Sequence, residues 1–148
     1  MADVSRGVST TLGYVLNLGV AAILVTTLML SAGTLVESQR DRATRTQLSV
    51  VGERVASDLE SADYLARASD DGAVRYVVRI PARAVDSAYE VRVNQSGTDH
   101  VVLTASGPDV SVTVPFQTEL PVEADTVDGG PFVVVYDPAT DTLVIEDA

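Results

Sequence analysis

The sequence predicts an α+β fold. A long N-terminal transmembrane helix continues into an amphipathic helix, which packs on an antiparallel β-sheet of about six strands. Three observations predict it. No charged residue occurs from Gly7 to Val36, a run of thirty residues without proline. From Leu48 to Leu65 the apolar residues recur at helical spacing. From Val74 onward the period shortens to two, between turns rich in Gly, Asn and Asp.

The first element is the apolar run. A helix rises about 1.5 Å per residue, and the hydrocarbon core of a bilayer takes roughly 20 apolar residues to cross. Leu12 to Val36 supplies 25. Leu, Val, Ala and Ile surround this helix on all sides, as lipid or a bundle of like helices requires. The alternative is the buried helix of a soluble domain, and the remaining 112 residues offer too little apolar surface to wrap it.

The start of the run is more specific than its hydrophobicity. Arg6-Gly7-Val8-Ser9, followed by Leu12-Gly13-Tyr14-Val15-Leu16, resembles the N-terminus of archaeal, in particular haloarchaeal, type IV pilins and pilin-like proteins. The resemblance implies a short leader ending at Arg6 and Gly7, cleaved by a prepilin-type peptidase so that Val8 and Ser9 begin the mature chain. Thr10 stands where that family often has proline, Tyr14 is bulkier than usual, and Asn17 is a polar intrusion. On this basis the chain divides into a leader (1–7), a transmembrane helix (8–36), an amphipathic helical stem (37–68) and an antiparallel β domain (73–148).

The stem follows without a break. Glu37 to Thr46 is polar and lacks Gly and Pro. Leu48, Val51, Val55, Leu59, Ala62 and Leu65 then define one helical face, with Glu53, Arg54, Asp58, Glu60 and Asp63 largely off it. Asp41 and Arg45 are spaced i, i+4 for an ion pair. Gly33 and Gly52 are the positions at which a bend is expected. Ser69-Asp70-Asp71-Gly72 stops the helix.

Six strands are expected, within 74–80, 89–93, 100–105, 110–114, 132–136 and 143–145. Asn94-Gln95-Ser96-Gly97, Ser106-Gly107-Pro108-Asp109 and Asp137 to Asp141 read as turns. Pro115 to Pro131 reads as a longer polar loop around Asp128-Gly129-Gly130. The apolar face of the sheet is expected to lie under the stem.

Composition bounds the setting. Every basic residue is arginine, ten against 21 acidic residues, for a net charge of −11, yet 46% of the chain is hydrophobic. A lysine-free acidic chain with that much apolar content reads as a folded protein of very high salt, where screening lengths shrink to about 3 Å. With no basic patch and only seven aromatic residues, nucleic acid is not an expected partner. There is no cysteine, so neither disulfides nor thiolate metal sites are available.

The catalytic inventory is thin, and no enzyme activity or cofactor is expected. His100 is the only histidine and lacks a second ligand or nucleophile to complete a known set. Asp125, Asp128, Asp137 and Asp141 lie in loops without calcium-loop spacing. Asn94-Gln95-Ser96 fits the N-glycosylation acceptor pattern, with Asn94 as acceptor and Ser96 as the hydroxyl residue. Arg40, Arg42 and Arg45 follow the membrane run, in reach of anionic headgroups or acidic neighbours. The positive-inside tendency alone would hold that flank in the cytoplasm. The leader resemblance implies export, so the C-terminal domain is expected outside a single-pass anchor.

The expected function is a structural one: a pilin-like subunit, or accessory subunit, of an archaeal surface filament or its assembly machinery. Its partners would be membrane lipids, other pilin-like subunits and a prepilin-type peptidase. Gly13, Gly19, Ala22 and Ala32 would allow close helix approach, and Thr26, Thr27 and Ser31 could bond across helices. Two alternatives stand beside it. One is a membrane-tethered β domain that binds a partner and never polymerises. The other is a secreted domain released by signal peptidase after Gly33.

Overall fold

The computed structural model describes residues 2–69, 72–95, 98–107, 109–123 and 125–148, with side chains from Thr11 onward. One helix, α1, runs from Ala2 to Ala68 without interruption at Gly33 or Gly52. Seven strands follow: β1 (Arg75–Val78), β2 (Tyr89–Asn94), β3 (His100–Ala105), β4 (Ser111–Pro115), β5 (Thr126–Asp128), β6 (Phe132–Asp137) and β7 (Thr142–Asp147). The α+β class therefore holds, with helix packed on antiparallel strands.

The strands form two sheets rather than the single one expected. The first has the order β1-β6-β7 and the second the order β4-β3-β2-β5. All strand pairs are antiparallel. The added strand, β5, lies in the segment read as a loop, pairing Glu90 with Asp128 and Val91 with Val127. Its three residues hold one apolar side chain, too little for an alternation to register.

The chain falls into two compact units, Met1–Gln39 and Arg40–Ala148. The second contains the hydrophobic core. From α1, Leu48, Val51, Val55, Leu59, Ala62 and Ala66 are buried. The spacing is 3, 4, 4, 3 and 4, a regular stripe. Leu65, expected on that face, is 44% exposed, and Ala66 takes its place. The stripe meets the inner faces of the strands, where Val78, Tyr89, Val91, Leu103, Phe132 and Ile145 are buried in the same cluster. Full burial of one such aliphatic side chain contributes about 1.5–3 kcal/mol.

Gly52 shows how closely helix and sheet approach. A Cβ there would lie 2.7 Å from Val114 Cγ2 and 2.9 Å from Leu103 Cδ1. This glycine is a packing position rather than a bend. α1 closes at Ala68, where the Ser69 N–H donates to the carbonyls of Leu65 (3.0 Å) and Ala66 (3.2 Å). Ser69 Oγ also donates to the Gly72 carbonyl at 3.1 Å.

Candidate functional site

The functional feature of the first unit is the surface of α1 itself. From Leu12 to Val36 every large apolar side chain is more than half exposed, as with Ile23 at 68%, Leu28 at 70% and Val36 at 59%. This helix is long and apolar enough to cross a membrane, and none of its most apolar window is buried within the chain. An unwrapped apolar rod of this length is unstable in water and suited to lipid or to like helices. The N-terminal helix thus has the character of a single membrane span or a signal sequence.

The polar groups inside the run are already satisfied. Thr26 Oγ1 donates to the Ala22 carbonyl at 2.8 Å, Thr27 to Ile23 at 2.8 Å, and Ser31 to Thr27 at 2.9 Å. Their protons therefore stay on their own helix, and an approaching helix meets only hydroxyl oxygens as acceptors. Gly13, Gly19 and Gly33 have open space at the Cβ position. Ala22 and Ala32 are exposed. Arg6, Gly7, Val8 and Ser9 lie in the helical N-terminal segment, and their side chains fall outside the described residues.

Arg40, Arg42 and Arg45 are exposed on α1 at the start of the second unit. Asp41 and Arg45 do not form an ion pair. The i, i+4 pairs of the stem are instead Arg54–Asp58 (4.0 Å) and Asp63–Arg67 (2.9 Å).

Four stem side chains fasten the β domain, Gln47, Glu60 and Asp63 through its loops and Asp58 through strand β1. Gln47 Oε1 accepts the Val85 N–H at 2.7 Å. Asp58 Oδ1 accepts the Tyr76 hydroxyl at 3.1 Å, Glu60 Oε1 the Gln117 N–H at 3.1 Å, and Asp63 Oδ1 the Leu120 N–H at 2.9 Å. Val85 has φ 56°, an unusual value for a β-branched residue, and the bond its N–H donates to Gln47 holds it there. Burial raises the Tyr76 phenol above its ordinary pKa, and the bond to Asp58 adds to this.

Asp63 corrects the sequence reading. Expected on the solvent side of the stem, it is only 3% exposed. The sequence signal was Arg67 one turn later, which supplies the cation a buried carboxylate needs. Arg67 also reaches Glu119 at 3.1 Å. Beside this cluster open two clefts of about 460 and 420 Å³ that share Asp99 and Gln117. Their lining is carboxylate, amide and hydroxyl with Pro115 and Phe116, Arg67 is the cation, and it holds no His or Cys.

The remaining candidates are dispersed. Asn94 ends β2 opposite His100 in the β2–β3 hairpin. It is half-buried, and Ser96 lies outside the described residues. The next residue, Gln95, is occupied, its Oε1 accepting the Val122 N–H at 2.8 Å. His100 Nδ1 sits 2.6 Å from the Thr98 carbonyl oxygen, which can only accept, so Nδ1 carries the proton. Asp125 accepts from the Thr126 N–H, Asp137 from the Ala139 N–H, and Asp141 from the Tyr136 hydroxyl. Asp128 pairs with Glu90 across β5 and β2. Among the described residues no three His, Cys, Asp or Glu side chains come together as a metal site would require.

Residues 3–146 match the model of a family described as "Family of unknown function (DUF7266)". No curated protein and no solved structure matches the chain.

Proposed function

The chain belongs to that family of unknown function, and within it we propose a structural role: a pilin-like subunit, or accessory subunit, of an archaeal surface filament or its assembly machinery. The observation that carries this reading is the exposed apolar surface of Leu12–Val36, continuous in one helix with the packed stripe from Leu48 to Ala66. A helix that is apolar all round at one end and one-sided at the other serves two environments. Lipid stores the first part, and lateral packing against like helices can replace the lipid without exposing that surface to water. Gly13, Gly19, Ala22 and Ala32 would let such helices approach.

In this proposal the β domain lies outside the cell, and the partners are lipid, other pilin-like subunits and a prepilin-type peptidase. It has no enzymatic role, a reading supported by the absence of any nucleophile–base set in the sequence. Asn94 is a candidate for glycosylation. The family resemblance at Arg6-Gly7-Val8-Ser9 supports cleavage between Gly7 and Val8.

Mass spectrometry of the N-terminal peptide from native membranes and surface fractions tests the proposal. Val8 as the first residue, with the protein found along isolated filaments, is the expected result. Arg6→Ala should then leave the precursor uncut. Thr34 first would mean a secreted domain released after Gly33, and an intact Met1 or Ala2 would mean a plain single-span anchor. Either result overturns the filament reading.

A further inference from the structure

The loop between β1 and β2 carries an apolar side chain in a place that suits glycine. Ala84 and Ser87 close a two-residue turn, the Ala84 N–H donating to the Ser87 carbonyl at 2.9 Å and the Ser87 N–H to the Ala84 carbonyl at 3.0 Å. Of the two central residues, Val85 and Asp86, only the first has positive φ, 56°. Two-residue turns of that pattern take glycine there, because a Cβ crowds the backbone and a branched one crowds it most. Core packing does not account for the valine, which is 42% exposed. Among the described residues it is the one large apolar side chain so exposed outside the helix and the strands. Strain kept for a side chain the fold does not bury argues for its use outside the chain.

The loop sits at the end where the chain enters the Arg40–Ala148 unit. The Val85 N–H bonds Gln47, and Arg40 lies seven residues before Gln47, two turns away on the same face of α1. Thr44, between them, is 2% exposed, so the β domain covers the stem almost from its first residue. Arg40 follows Val36, the end of the apolar run, by four residues, at most about 14 Å of chain.

This end is basic in an acidic unit. Residues 40–47 and 79–88 hold Arg40, Arg42, Arg45, Arg79 and Arg83 against Asp41 and Asp86, a balance of +3. The whole unit has nine arginines against 19 acidic side chains, or −10, so the remainder carries −13. The neighbouring turns, which meet the loop where the Ser106 N–H bonds the Ala88 carbonyl and where Gly129 packs by the Ala82 carbonyl, add Asp109 and Asp128. The local balance is then +1, still opposite in sign to the rest. All five arginines are exposed, and among the described residues none of them is in an ion pair. The pairs that form use Arg54, Arg67 and Arg75 instead. Arg83 Nη1 reaches only a backbone oxygen, that of Asp86, at 3.4 Å.

We propose that this end of the unit rests on the bilayer that holds α1, with Val85 in the headgroup layer and the arginines on anionic lipid phosphates. Each part matches a property of that surface. An exposed apolar tip gains by leaving water for the acyl boundary. Guanidinium groups take phosphate oxygens in bidentate pairs. At molar salt, where screening lengths are about 3 Å, only such direct pairs survive, while burial of an apolar side chain is not screened. The contact rests on α1 remaining a membrane span. It needs no filament, and it holds in either leaflet.

The absence of cysteine allows a direct test in the full chain, reconstituted into vesicles at molar potassium chloride. One set of vesicles is phosphatidylcholine, and the other is phosphatidylcholine and phosphatidylglycerol in equal parts. Ala82→Cys, exposed in the same loop, carries a fluorophore, and some lipids carry a nitroxide quencher at the headgroup. Ala139→Cys is the control, exposed in the β6–β7 turn at the opposite end of the β1-β6-β7 sheet. Quenching of the Ala82 label should exceed the control several-fold with phosphatidylglycerol and fall towards it without. Adding Arg40→Gln and Arg83→Gln should remove most of that lipid dependence. Adding Val85→Gly should at least halve the quenching while the melting temperature of the unit does not fall, because glycine accepts the positive φ. A lower melting temperature with unchanged quenching would make Val85 structural and overturn the proposal. Quenching no greater than the Ala139 control, in chains that float with the vesicles, overturns it and leaves the membrane span standing. Chains that do not float with the vesicles overturn it together with the span. Quenching seen only when chains are crowded would make the partner an acidic second copy, and overturns it as well.

Discussion

Asp63 and Leu120 are joined by one buried hydrogen bond, from the backbone N–H of Leu120 to Asp63 Oδ1 at 2.9 Å. The same carboxylate receives two bonds from Arg67, at Nε (3.1 Å) and Nη2 (2.9 Å). With Glu60, which accepts the Gln117 N–H, this helical side chain fixes the segment between β4 and β5, whose Pro121 and Glu123 then clasp the edge of β7. The Leu143 N–H donates to the Pro121 carbonyl and the Glu123 N–H to the Leu143 carbonyl, both at 2.8 Å. Through this chain of contacts the stem reaches both sheets.

Asp63→Ala should therefore destabilise the Arg40–Ala148 unit well beyond the loss of one surface charge. It leaves the Leu120 N–H buried without an acceptor, at a cost of about 1–3 kcal/mol, and removes a charge-assisted partner of Arg67. Asp86→Ala, in an exposed turn, should cost less than about 0.5 kcal/mol. Urea unfolding at molar salt compares them, and equal midpoints would refute the anchoring role.

Two glycines of α1 should respond oppositely to alanine. Helix propensity alone favours Gly→Ala by about 1 kcal/mol. At Gly52 the new methyl meets Val114 and Leu103 inside 3 Å. Overpacking of that kind costs about 1–3 kcal/mol and outweighs the gain. At Gly33, where nothing lies within 4 Å, the propensity gain stands and helix content should not fall. Thermal melts of the Gly52→Ala unit and circular dichroism of the Gly33→Ala chain in detergent would check the pair. A stabilised Gly52→Ala unit would contradict the close helix–sheet contact.

These examples mark what the sequence could and could not disclose. The membrane-length run, the stem stripe and six strands were legible because each is a local periodicity. The partition into two sheets was not, because β1 pairs with β6, a partner more than fifty residues away that local patterns do not encode. Leu65 misled because hydrophobicity and spacing agreed up to Ala62, and Ala66 continues the stripe with a side chain too small to stand out. Asp63 misled because a carboxylate in a helix is usually solvated, whereas this one caps a loop 57 residues later in the chain. Of the functional residues, the apolar surface of α1 was evident from composition.

Alkaline pH should weaken the domain through Tyr89. Its ring is buried at 1% exposure and its hydroxyl donates to the Pro81 carbonyl. Burial pushes its pKa from 10.0 to about 12. A raised folded-state pKa means that the unfolded chain loses this proton first as pH rises. The stability is fully present below pH 10 and declines between 10 and 12, by about 1.4 kcal/mol per pH unit at most. Tyr76, raised in the same direction, adds to the slope. Tyr89→Phe should be less stable at neutral pH by about 1 kcal/mol, because the Pro81 carbonyl loses its donor. It should also be less sensitive between pH 10 and 12. Parallel curves for the two proteins would rule out Tyr89 as the titrating group.

Salt should matter more than any single residue. Of the 21 acidic side chains only Asp3 and Glu37 lie outside the Arg40–Ala148 unit, and that unit carries nine of the ten arginines. Among the described residues there are four ion pairs, two of them stretched to 4.0 Å, so most of the negative charge is balanced by solution ions rather than by arginine. Lowering ionic strength from 1 M to 0.01 M lengthens the screening distance from about 3 to about 30 Å, comparable to the size of a small domain. Each carboxylate then feels the rest, and the compact state loses more than the expanded one. Cooperative unfolding of this unit should persist at molar potassium chloride and fade below roughly 0.5 M, a threshold set by that screening trend. Replacing exposed Glu53, Asp86 and Asp109 by their amides should shift the threshold to lower salt, because the self-repulsion falls while the core stripe and loop anchors remain. Calorimetry across a salt series would decide it. A melting temperature unchanged from low to molar salt would mean that the acidic surface serves something other than salt adaptation.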